Sequence, residues 1–130
     1  MEDTYQIENK SENEFSYSSD YINFINNEFK DIDLEPWWML CESEKLMNFW
    51  FQALKKQYPA RHLIPFAKID YSDDIACFDA NDISGDPRVI FIHAFALEGW
   101  EYRGEVANFA KWLQRAKEES IAYKKSSLDE

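Results

Sequence analysis

Two neighbouring stretches, LIPFAKIDYSDDIACFD (63–79) and PRVIFIHAFALEGWEYRG (87–104), hold the sheet-forming part of this chain. Leu63 to Asp70 reads as a strand. Pro65 marks an edge position or a strand start there, because proline has no N–H to give a ladder. Tyr71-Ser72-Asp73-Asp74 is a turn, and Ile75 to Phe78 is a short second strand. Asp79 to Pro87 is rich in turn formers and reads as a loop. Val89 to Phe95 is apolar almost throughout, the pattern of a central strand covered on both faces. Gly99 to Tyr102 adds a short edge strand. Links this short join antiparallel neighbours, since a parallel crossover needs about a dozen residues or more.

Helical periodicity flanks this block. Upstream, Ser18 or Ser19 caps a helix running to about Phe29, with Ile22, Ile25 and Phe29 on one face and Asp20 near its positive end. Asp31 to Trp38 is a connector in which Pro36 excludes regular helix and Leu34, Trp37 and Trp38 plug the core. Ser43 caps the clearest helix. Its apolar stripe is Leu46, Phe49, Trp50, Ala53 and Leu54, continued by Tyr58, and Pro59 ends it. Downstream, Asn108 caps a last helix that buries Phe109, Trp112, Leu113 and Ala116. Residues 1–17 read as an acidic arm or a short hairpin around Asn9 to Glu12, anchored by Tyr5, Ile7, Phe15 and Tyr17. Lys124 onward, and 125–130 in particular, reads as a frayed tail. The expectation is one domain over residues 1–130, of α+β class, with helices packed on a mainly antiparallel sheet.

Composition narrows the function. The chain has 130 residues, a formal charge of −11, and five Trp, seven Tyr and ten Phe. A chain of this length buries roughly two thirds of its unfolded surface, so a core is feasible without disulfides or metal. Residues 1–35 hold ten acidic groups against Lys10 and Lys30, and residues 70–105 hold nine against Arg88 and Arg103. Phosphate contacts need clustered Lys and Arg, so nucleic acid and anionic membrane are poor partners. A basic protein is the electrostatically sensible one. The plainer alternative is that the acidity only maintains solubility. Cys41 and Cys77 sit among apolar neighbours and read as two reduced thiols rather than a disulfide. There is no signal-peptide pattern and no apolar run of spanning length, so the expected location is cytoplasmic.

Catalytic patterns fail one by one. His62 and His93 are the only histidines. There is no G-x-S-x-G elbow, and neither cysteine has a basic neighbour to favour the thiolate. His93 lies in an apolar strand and reads as a packed histidine with one bonded nitrogen. Tested as a calcium loop from Asp79, the sequence places Ile83 and Ile90 where oxygen ligands are needed, and its glycine comes one place late at Gly85. Gly85, Gly99 and Gly104 make no phosphate cradle. No catalytic residue, metal ligand or cofactor site is therefore assigned. Trp37, Trp38 and Trp100 are the tryptophans least clearly buried, and an exposed one is an interface anchor.

A set of short motifs in fixed order resembles the SUKH superfamily, in particular its short Smi/Knr-type members. The pieces are Leu34-Glu35-Pro36-Trp37, Tyr58-Pro59-Ala60-Arg61, Leu63 to Ala67, Asp73 to Asp79, Val89 to Ala96, Gly99-Trp100-Glu101 with Arg103, and Phe109 with Trp112-Leu113. They span residues 34 to 120. Where that family writes an acidic residue in IHDF, this chain has Ala94, and its Ala80–Pro87 loop is longer than in the shortest relatives. The resemblance implies an α+β fold and no enzymatic activity. It also implies a role as an immunity protein that neutralises a polymorphic toxin, often a nuclease. Fungal relatives offer the alternative of a scaffold or regulatory module in cell-wall synthesis. The expected partner-binding residues are the acids around the sheet loops, Asp73, Asp74, Asp82, Asp86, Glu98 and Glu101, with Trp100 as an apolar anchor among them.

Overall fold

A strand apolar on both sides needs a cover on both sides. Leu63–Ile69 is such a strand, buried at every position but Lys68. The computed structural model, which describes residues 15–128, places it inside a five-stranded antiparallel sheet. The strands are β1 (Trp37–Met39), β2 (Leu63–Ile69), β3 (Asp74–Asp79), β4 (Val89–His93) and β5 (Tyr102–Val106), and each pairs with the next in sequence. Among the described residues three α-helices accompany them: α1 (Ser19–Asn23), α2 (Glu44–Gln57) and α3 (Phe109–Leu128).

The two faces of the sheet carry different cores. On one, Tyr21, Phe24, Phe109 and Trp112 pack from α1, the turn after it and α3 onto Ile64, Phe66, Phe78 and Phe91. Phe66 and Phe78 stack with centroids 4.4 Å apart, and Trp112 meets Phe66 edge-on at 5.0 Å. Such pairs add about 0.5–1.5 kcal/mol each beyond the area they bury. On the other face, Met47, Trp50 and Leu54 of α2 and Tyr58 beyond it cover Leu63, Ile75, Cys77, Ile90 and Ile92. The α+β class and the antiparallel pairing are as the sequence predicts. Neither cysteine is in a disulfide; Cys77 is buried and Cys41 partly so. No helix among the described residues is long and apolar enough to cross a membrane.

Local signals fixed the helix starts well. Ser18 Oγ accepts from Tyr21 N at 3.1 Å, Ser43 Oγ from Leu46 N at 3.2 Å and Asn108 Oδ1 from Lys111 N at 3.0 Å. Each cap satisfies an N–H that the first helical turn leaves open.

Several expectations need correction. The helix expected to reach Phe29 is α-helical only to Asn23, then widens to a π-turn over Phe24–Glu28 and tightens to a 3-10 turn over Phe29–Asp31. The inward face is that of Tyr21 and Phe24, which are buried, while Ile22 is exposed. In α2 the buried row is Met47, Trp50 and Leu54, while Leu46 and Phe49 face outward. The connector holds an unanticipated short strand, β1, whose Trp37 is buried and whose Trp38 is half-buried. The Glu35–Pro36 peptide just before it is cis. Pro65 sits in an inner strand, yet β1 pairs only with Ala67 to Ile69, and the register shifts between Pro65 and Ala67. Proline's missing donor is thus absorbed where β2 has one neighbour and a bulge. The last strand is Tyr102–Val106 rather than 99–102. The tail is helical through Leu128, fastened by Lys124 Nζ to Asp33 Oδ2 at 3.0 Å. Of the N-terminal arm, residues 1–14, including the hairpin around 9–12, lie outside the described residues. Phe15 and Tyr17 pack against the aromatic core.

Candidate protein-binding site

Antiparallel order sorts the loops to two ends of the sheet. The β2–β3 turn (70–73) and the β4–β5 loop (94–101) share one end, where Ala94 N donates to Asp73 O at 3.0 Å. The β3–β4 loop (80–88) and the start of α3 share the other, where Asn108 Nδ2 donates to Asp86 Oδ2 at 2.8 Å. A strand the length of β4 separates the ends by roughly 17 Å at about 3.3 Å per residue. The predicted acids therefore form two groups rather than one patch. Asp73, Asp74, Glu98 and Trp100 lie at the first end, and Asp82 and Asp86 at the second.

The second group is engaged in shaping its own loop. Asp82 accepts from Ser84 N at 3.1 Å and Arg88 N at 2.8 Å. Partial burial alone would raise its carboxyl, but these bonds and the Arg88 charge outweigh that and hold it below the usual range. Asp79 closes the same loop, accepting from Asn81 N at 2.9 Å and pairing with Arg88 Nε at 3.2 Å.

Glu101 corrects another expectation. It is 5% exposed, not a surface acid. Its Oε2 pairs with Arg61 Nε at 2.7 Å, and its Oε1 accepts from Gly99 N at 2.6 Å. Burial pushes its carboxyl up, but Arg61 and the backbone N–H groups prevail, so it stays ionised to lower pH than usual. A buried carboxylate persists only with such partners.

Glu101 is one of several braces on the β4–β5 loop. Tyr58 Oη, buried under α2, donates to Ala96 O at 2.7 Å and reaches His93 O at 3.3 Å. Burial first, and the Glu101 charge second, raise this phenol and keep it a donor. Gln57 Oε1 accepts from Phe95 N at 2.7 Å. His93 Nδ1 lies 2.6 Å from Asp74 Oδ1. Leu97 to Trp100 form a turn closed by Trp100 N to Leu97 O at 2.8 Å. Gly99 has φ +101° at its third position, the signature of a type II turn. Phe95 has φ 68°, and it is the one non-glycine residue in that region among the described residues. This frame leaves Phe95, Leu97 and Trp100 with their side chains in solvent.

His93 and Asp74 are each about a third open to solvent at a loop end. Burial pushes the Cys77 thiol far above its ordinary value, which disfavours the nucleophilic thiolate. Among the described residues no group of His, Cys, Asp and Glu is placed to hold a metal ion. An open cleft of about 350 Å³ lies beside β1, lined by Leu34, Trp38, Asp33, Glu35, Glu42 and Asp70. Asp33 there is already committed, held below the usual range by the Glu35 N–H and by Lys124.

Phe49, Phe95 and Leu97 escaped sequence reasoning as surface residues. Phe95 continues the apolar run Val89–Phe95, and Phe49 fits a helical stripe, so periodicity places both inward. The one usable signal was Gly99 beside Trp100, a turn glycine next to a large aromatic residue. No protein-family model, curated protein or solved structure matches the chain.

Proposed function

We propose that this chain is a non-enzymatic binding protein whose task is immunity: it docks stoichiometrically onto a cognate polymorphic toxin, a nuclease being one such partner, and neutralises it. The observation that carries the reading is the braced β4–β5 loop. Tyr58, Gln57, Arg61 and Glu101 hold it from below, and its large apolar side chains point into solvent. Apolar groups ordered before contact lose little entropy on binding, and aromatic residues in such places dominate interface energies. The charge of −11 adds long-range attraction for a basic target.

The toxin enters through the resemblance to short Smi/Knr-type SUKH proteins. Three shared motif residues have fold-defining places compatible with it: Gly99 makes a turn, Trp112 fills the core and Asp79 closes a loop. A cytoplasmic location belongs to the same proposal, since an immunity protein of this type meets its toxin inside the cell. The test is co-expression with the toxin encoded beside its gene. Restored growth and a one-to-one complex on gel filtration at low salt are expected. Continued growth arrest together with no complex overturns the reading. Capture of a housekeeping protein, with a deletion phenotype that needs no toxin, points to the scaffold alternative instead.

A further inference from the structure

Single exposed hydrophobic residues are ordinary on protein surfaces; a contiguous group is not. Phe49, Phe95, Leu97 and Trp100 are 53%, 61%, 78% and 73% exposed. The buried ring of Trp50 links the helix to the loop from beneath, meeting Phe49 at 5.1 Å and Phe95 at 5.9 Å, both edge-on. Leu97 and Trp100 flank the type II turn in the same loop. The result is an apolar ridge running from α2 onto the β4–β5 loop.

The ridge is held outward against local preference. Phe95 sits in the left-handed region, which side chains with a Cβ disfavour. Its N–H is fastened to Gln57, and the carbonyl after it to Tyr58. Asp73 and Glu98 border the ridge with carboxylates that make no hydrogen bond or ion pair among the described residues. Arg61 and Lys68 are both engaged at this end. Arg61 is paired with Glu101, and Lys68 Nζ donates to Ile69 O and Ser72 O at 3.0 and 2.6 Å. The turn side of the ridge is therefore acidic, while Lys68 keeps its charge over the Trp50 ring and Lys45 and Lys56 lie exposed on α2. An anionic lipid surface would be repelled by the carboxylates at the turn.

We propose that the Phe49–Phe95–Leu97–Trp100 ridge is the docking surface, and that it takes a polypeptide presenting an apolar hollow edged by Lys and Arg. This rests on the binding reading above and adds the face and the chemistry of the partner. The apolar residues set the lifetime of the complex. Asp73 and Glu98 set the rate of encounter and its dependence on salt.

A peptide library displayed on phage and selected against the full chain tests it without a known partner. The selected peptides are expected to join aromatic or aliphatic residues to flanking Lys or Arg. A synthetic consensus peptide should bind Trp100→Ala at least about tenfold more weakly. Asp73→Lys with Glu98→Lys should slow association several-fold and flatten its salt dependence. Ile121→Ala, an equally exposed apolar site on α3, should change nothing, and all variants should keep the wild-type melting temperature. Acidic consensus peptides, or equal binding by Trp100→Ala, overturn the proposal. So does a wild-type dimer dispersed by Trp100→Ala, or Trp100-dependent binding to neutral phosphatidylcholine vesicles. Toxin neutralisation that survives Trp100→Ala also rejects this surface while leaving the immunity function standing. Failure of neutralisation beside an intact peptide result rejects immunity and retains the surface.

Discussion

Glu101 and Arg61 approach to 2.7 Å with the carboxylate almost fully covered, so removing Arg61 strands a buried charge, while removing Glu101 takes an acceptor from both Arg61 and the Gly99 N–H. Hydrogen bonds to charged groups contribute about 1.5–3 kcal/mol, and a buried charge without its partner costs more. Glu101→Ala should therefore lower unfolding free energy by about 2–3 kcal/mol in urea titration. A change under about 0.5 kcal/mol would show that the brace is ornamental. The pH dependence has a definite sign. The Glu101 carboxyl titrates below its ordinary value of 4.5 in the folded chain. Its stabilisation is present above that ordinary value and disappears as pH falls through the lower folded one. Wild-type stability should decline from about pH 5 downward, and Glu101→Gln should remove part of that slope. At Gly99 the space around an added Cβ is open, with nothing within 4 Å, so only the backbone objects to a side chain. Gly99→Ala should cost about 1–2 kcal/mol from φ +101° alone, and Gly99→Asn, which tolerates that region better, should cost less. Equal costs for the two would mean the turn is not held at positive φ.

Helix α2 shows how far sequence reading reaches. Its start was legible because Ser43 precedes Glu44 and the cap is a local interaction. Its end was legible because Pro59 cannot continue it. Its rotation was not, because α2 carries more apolar residues than the sheet can cover, and periodicity does not say which arc wins. Met47, Trp50 and Leu54 won, and Leu46 and Phe49 were left outside. The same limit explains the first helix, where Tyr21 and Phe24 rather than Ile22 took the inward face, and β1, three residues long with no alternation to read. Strands β2 to β4 were legible because continuous apolar runs between turn formers have few other uses. The acids were visible, but their burial was not, since Glu101 is distinguished from Glu98 only by Arg61, forty residues away in the chain. The rotation of α2 is open to measurement. Leu46→Gln should change stability by no more than about 0.5 kcal/mol, whereas Met47→Ala should cost about 2–4 kcal/mol. The reverse ranking by denaturant titration would place the helix a step round from its position in this structure.

A sheet shared by two cores makes the whole molecule cooperative, because β2, β3 and β4 contribute alternate side chains to both faces. Loss of α2 exposes the same strands that α3 covers from the other side. The net charge of −11 acts against this compact state. Like charges confined to a folded volume repel more than the same charges on an expanded chain. At about 0.01 M salt the screening length is about 30 Å, and at about 0.15 M it is about 8 Å, so moderate salt removes repulsion across the molecule. Contact pairs such as Arg61–Glu101 at 2.7 Å and Lys124–Asp33 at 3.0 Å lie far inside either length, and salt weakens them less. The repulsive sum should therefore yield first. Raising NaCl from about 0.01 to about 0.15 M is expected to increase the thermal midpoint. Over the same range, association with a basic partner should slow, because the charge that burdens folding is the charge that draws the partner in. Scanning calorimetry and stopped-flow binding at matched salt separate the two effects. A midpoint that falls with salt would mean that a few ion pairs, not the net charge, govern the electrostatics of this fold.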